Sequence, residues 1–143
     1  MKELDQLIDK ICISLEENDT LENYIKVMRC CCECFKLLDW NFLEKEEIKN
    51  ITQGIEIWKN NDYNSNLLEK LYLKTARNKC SNKKMEIKRS QILDLGVNLL
   101  FSYERWSNVY HRPHMLEYFI SDIVDVGVEE KSILPIVKKF FSI

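Results

Sequence analysis

Residues 21–38, LENYIKVMRCCCECFKLL, decide how this chain is read. Leu21, Tyr24, Ile25, Met28, Cys31, Cys32, Phe35 and Leu38 recur at the three- and four-residue steps of one helix face. Val27, Cys30, Cys34 and Leu37 spread the apolar surface well beyond a stripe, and a helix that is apolar on most sides belongs at the centre of its domain. Little in the sequence can turn the chain: 143 residues hold two Pro and three Gly. Helix-period apolar residues with so few breakers predict an all-α fold. The expectation is a single domain over residues 1–143, an antiparallel bundle of six to seven helices.

Working outward, Leu4, Leu7, Ile8, Ile11 and Leu15 predict a first helix over residues 3–17. Asp19, with Glu22 three residues on, has the spacing of a capping box for the second. Asp39, Trp40 and Asn41 mark a corner. Leu43, Ile48, Ile51, Ile55 and Trp58 then trace a third helix, whose first turns carry Glu44, Glu46 and Glu47, where acids suit the helix dipole. Residues 60–66 read as a loop, and Leu67, Leu68, Leu71, Tyr72 and Ala76 as a fourth helix. The polar, basic residues 78–84 read as an exposed connection. Ile87, Ile92, Leu95, Leu99, Tyr103 and Trp106 predict one long fifth helix, in which Gly96 implies close approach of a neighbour. Leu116, Phe119, Ile120, Ile123 and Val124 predict a sixth helix, ended by Gly127 in a left-handed cap. A last short helix is expected from a Ser132 cap, with Pro135 in its first turn.

Composition narrows the function classes. The formal net charge is −2, so no global field gathers a polyanion. Acids dominate residues 3–22, while Lys74, Arg77, Lys79, Lys83, Lys84, Lys88 and Arg89 make residues 74–89 basic. That basic stretch has no aromatic side chain on which to stack a base, which argues against a nucleic-acid partner. No apolar run is long enough to span a bilayer, and the first residues lack the pattern of a secretory signal. No membrane association and a cytoplasmic location are therefore expected.

Six cysteines, Cys12, Cys30, Cys31, Cys32, Cys34 and Cys80, would suggest disulfides in a secreted chain. Neighbouring cysteines on a helix fan round its axis, which suits disulfide geometry poorly. Cys30 and Cys34 share a helix face, and His111, His114, Cys12 or Cys80 are the available further ligands for a zinc ion. Without a Cys-x-x-Cys or His-x-x-x-His spacing, the expectation is a cysteine-rich core of small apolar side chains, with no metal and no cofactor. Phosphate loops, dinucleotide fingerprints and the nucleophile elbow are missing from the sequence. Trp40, Phe42, Trp58, Tyr63, Trp106, Tyr110 and Tyr118 lie at or near expected helix ends, as lids on the core or as anchors for a partner.

Two resemblances bear on function. Cys31-Cys32-Glu33-Cys34-Phe35-Lys36-Leu37-Leu38, a polar gap, then Gly54-Ile55-Glu56-Ile57-Trp58 resembles helical immunity proteins of bacterial polymorphic-toxin systems. That resemblance implies a non-catalytic protein that neutralises a cognate toxin by binding it. For a basic partner the expected contacts are Glu16, Glu17, Glu44, Glu46, Glu47 and Trp58. Separately, Arg105 and His111, late in a small all-α domain, resemble the Arg and His of HEPN-type RNases, although Trp106 stands where that family carries a polar residue. This second resemblance implies metal-independent RNA cleavage, with His111 as general acid and base and Arg105 on the phosphate. A viral or phage inhibitor of host defence is a third reading of the same helical surface.

Overall fold

The computed structural model describes residues 2–81, 86–105 and 112–141. Among them the chain forms seven α-helices and no strand: α1 (Lys2–Glu17), α2 (Leu21–Phe35), α3 (Lys45–Lys59), α4 (Ser65–Ser81), α5 (Ile87–Asn98), α6 (Met115–Val126) and α7 (Glu130–Phe140). Short 3-10 turns at Trp40–Phe42, Tyr103–Arg105 and Arg112–His114 make the corners. The fold is all-α, as the apolar periodicity predicts. One continuous core takes side chains from all seven helices.

α2 is the hub, packed on α3, α6 and α7. Its cysteines Cys30, Cys31, Cys32 and Cys34 are all buried, so the thiols fill space between helices. Burial pushes the Cys31 and Cys32 thiols up, and the contact with Cys34, then burial, does the same for Cys30. Thiols held protonated in this way are poor nucleophiles.

Two glycines set how closely α3 approaches α5 and the residues just after it. A Cβ at Gly54 would overlap Leu100 Cδ2; one at Gly96 would overlap Ile51 Cδ1 and lie 3.3 Å from Phe35 Cζ. The close approach expected at Gly96 is present. In Gly96→Ala a helix gain of about 1 kcal/mol opposes an overpacking cost of about 1–3 kcal/mol. A net loss of about 1 kcal/mol in urea unfolding is expected. Adding Ile51→Val, which removes the overlapping Cδ1, should recover part of it; strictly additive losses would show that the overlap is not the cause.

Several boundaries differ from the sequence reading. Thr20, rather than Asp19, caps α2, its side chain accepting from the Asn23 amide at 3.2 Å. Asp19 is occupied elsewhere: Arg112, 7 % exposed, donates to its carboxylate at 2.9 and 3.1 Å and lies over the Tyr103 ring. α4 continues to Ser81, so Asn78 is helical and half-buried rather than part of an exposed connection. α7 starts at Glu130, which leaves Pro135 inside the helix on its exposed side and Ser132 one turn too late to cap it.

The largest departure is α5, which stops at Asn98 instead of running on to Trp106. The backbone beyond it is held by side chains from other elements. Trp58 Nε1 donates to the Leu99 carbonyl at 2.7 Å, and the Tyr24 hydroxyl donates to the Phe101 carbonyl at 2.7 Å. The Tyr103 amide donates to the Tyr63 hydroxyl at 2.8 Å, and Arg112 Nη1 to the Tyr103 carbonyl at 2.8 Å. Buried backbone groups need partners. The polar tips of these aromatics supply what a continued helix would have supplied.

Candidate acidic groove and its cysteine–histidine–glutamate cluster

α1 packs on α6, and between them runs a groove of about 320 Å³. Its floor is Leu4 and Ile8 from α1 with Ile120 and Val124 from α6. Its walls carry Asp5, Asp9, Glu117 and Asp125, with Glu130 at the start of α7. Among the described residues no Lys or Arg lines it. The helical repeat explains this: on α1 the apolar positions 4, 8, 11 and 15 face α6, and Asp5 and Asp9 flank them one step round the axis. On α6, burial and then the nearby Asp125 charge hold the Asp122 carboxyl above its ordinary range.

At the end of this helix pair the chain brings together three metal-ligating chemistries. Cys12 Sγ, an imidazole nitrogen of His114 and a carboxylate oxygen of Glu117 all lie within 4.8 Å of one another. Cys12 Sγ donates to Glu117 Oε2 at 3.6 Å, and His114 Nδ1 is 3.1 Å from that same oxygen. The other ring nitrogen, His114 Nε2, is 2.9 Å from Glu16 Oε1. Cys12 is 5 % exposed, and burial, then the charge of Glu117, push its thiol up to about 12. Cys12 and Glu16 are four apart on α1; His114, at the N-cap of α6, and Glu117 are three apart.

The residues expected to meet a partner divide by burial. Glu16, Glu17, Glu44 and Glu46 are exposed. Glu47 is 1 % exposed and Trp58 1 % exposed, so neither presents a surface. Glu47 turns inward because it shares the helix face of Ile51, Ile55 and Trp58; its carboxylate takes Arg89 Nη2 and Asn78 Nδ2, each at 2.7 Å. Trp58 lies edge-on to Tyr24, with ring centroids 5.8 Å apart. Trp40, Phe42 and Tyr63 pack against the core as lids, whereas Tyr118 is exposed. Trp106, Tyr110 and His111 lie outside the described residues. Arg105 is described and engaged: it pairs with Glu69 through Nη1 and stacks 3.6 Å from the Tyr72 ring centroid.

In the sequence Cys12 and His114 stand out as spare ligands, and Glu117 does not. Two pairs of ligand residue types at helical spacing, Cys12 with Glu16 and His114 with Glu117, were the available signal. Nothing local says that helices more than 100 positions apart will bring them together. No protein-family model, curated protein or solved structure matches the chain. No described helix is long and apolar enough to cross a membrane.

Proposed function

We propose that this chain is a non-catalytic protein-binding module, an inhibitor of the immunity-protein kind, which receives a basic surface of a cognate toxin or effector along the α1–α6 groove. The observation that carries this reading is the groove itself, in which five carboxylates from three helices border an apolar floor. Complementary charge raises the rate of encounter, and the carboxylates on the groove walls supply the contact, since Leu4, Ile8 and Ile120 on the floor are themselves buried. Glu16 and Glu17, exposed near the end of α1, extend the same negative surface. Glu44, the N-cap of α3, and Glu46 in its first turn lie on a helix that packs on α2, α4 and α5, and are secondary candidates.

The test is capture of the product of the adjacent gene by the tagged chain, followed by association kinetics across a salt series. Changing Asp5, Asp9 and Asp125 together to Asn should slow association about 10-fold and flatten its salt dependence. Unchanged kinetics would remove the groove as the contact. RNA incubated in EDTA with the wild type or with His111→Ala should stay intact. Cleavage by the wild type that the variant loses would favour the RNase reading instead.

A further inference from the structure

We propose that Cys12, His114 and Glu117 are the protein ligands of a zinc ion that ties α1 to the start of α6. The residue types are those zinc prefers: one thiolate, one imidazole and one carboxylate. The spacing fits as well. Ordinary zinc bond lengths in a tetrahedron separate the ligand atoms by about 3.3–3.6 Å. Here Sγ and Nδ1 lie 3.6 and 3.1 Å from Glu117 Oε2, close to those edges, and the thiol and imidazole are within 4.8 Å of each other, so a small inward adjustment closes the third edge.

The orientation of His114 suits a ligand. Both of its ring nitrogens face carboxylates, Glu16 on Nε2 and Glu117 on Nδ1. With Nε2 turned to Glu16, Nδ1 is the nitrogen that faces Glu117 and is placed to ligate. A carboxylate accepting from the far nitrogen of a ligating histidine is the usual second partner at zinc sites, where it fixes the tautomer and strengthens the ligand. Glu16 is placed for that role.

Charge balances. Binding releases the Cys12 thiol proton to solvent, and the thiolate with the Glu117 carboxylate neutralises Zn²⁺. Three protein ligands leave a fourth position for water. Glu117 also lines the groove, which gives the ion a route from solvent. This inference does not rest on the proposed inhibitor function, although the ion would take the charge of Glu117 and leave Asp5, Asp9, Asp125 and Glu130 on the groove to meet a partner.

The test uses the full chain, kept reduced, stripped with EDTA and titrated with Co²⁺ and then Zn²⁺. One equivalent of Co²⁺ should produce a thiolate-to-cobalt charge-transfer band, and Zn²⁺ should bleach it. Cys12→Ser should abolish the band. His114→Gln and Glu117→Gln should each weaken Zn²⁺ binding at least about 10-fold, and Glu16→Gln about 10-fold through His114. Absence of the band in the wild type, or its survival in folded Cys12→Ser, would overturn the proposal. Should Cys12→Ser not fold, the two partly exposed variants decide: Zn²⁺ affinity unchanged in both His114→Gln and Glu117→Gln overturns it equally.

Discussion

Trp58→Ala is expected to destabilise the protein by about 4 kcal/mol, within the range of aromatic truncations in closed cores. Two losses combine. The indole is 1 % exposed and packs edge-on to Tyr24 and beside Tyr63, so its removal opens a cavity at the end of α3. Its Nε1–H also serves the carbonyl of Leu99, the C-cap residue of α5, at 2.7 Å. The last carbonyls of a helix have no partner within the helix, and a buried one left without a donor costs about 1–3 kcal/mol. Trp58→Phe separates the two losses, since it keeps most of the ring and removes the donor; about 2 kcal/mol is expected. Thermal unfolding by circular dichroism reads both, with a fall of about 10 °C for the alanine variant. Equal stability of Trp58→Phe and wild type would mean that the indole hydrogen bond contributes nothing.

The same residue shows where sequence reading reaches and where it stops. Periodicity placed Trp58 on the apolar face of α3, and the cysteine-rich run at the hub of the fold, because burial of a helix face is written in three- and four-residue steps. Gly127 in its left-handed conformation (φ 117°) and Gly96 at a close crossing were legible for the same reason: each is a local conformational or steric demand. The end of α5 was not legible. Leu99 and Tyr103 continue the helical repeat, and what stops the helix is a set of hydrogen bonds from Trp58, Tyr24, Tyr63 and Arg112, three of them on other helices or loops far away in sequence. The ion pair of Asp19 with Arg112 spans 93 positions and the contact of Cys12 with Glu117 spans 105. Such pairings are products of the tertiary arrangement, and the second of them builds the candidate site.

Glu47→Ala is expected to cost about 3 kcal/mol, the lower end of the range for breaking a buried ion pair. Its carboxylate is 1 % exposed and accepts three hydrogen bonds at 2.7 Å, from Arg89, from Asn78 and from the Glu44 amide at the start of α3. One side chain thus caps α3, receives the end of α4 and anchors the first turn of α5. Arg89 keeps Glu44 Oε1 at 3.3 Å after the change, which holds the loss below that of a fully orphaned charge. Glu47→Gln retains the capping acceptor but sets amide hydrogens against donors, and about half the loss is expected. Glu46→Ala, on the exposed face one residue away, should stay within about 0.5 kcal/mol of wild type. Urea unfolding of the three variants checks the order. If Glu47→Ala loses no more than Glu46→Ala, the inward carboxylate is not what joins α3, α4 and α5. The comparison also governs how partner binding is tested: a charge reversal at Glu47 would weaken capture by loosening three helices, so docking has to be probed at Asp5, Asp9 and Asp125, whose substitution leaves that junction intact.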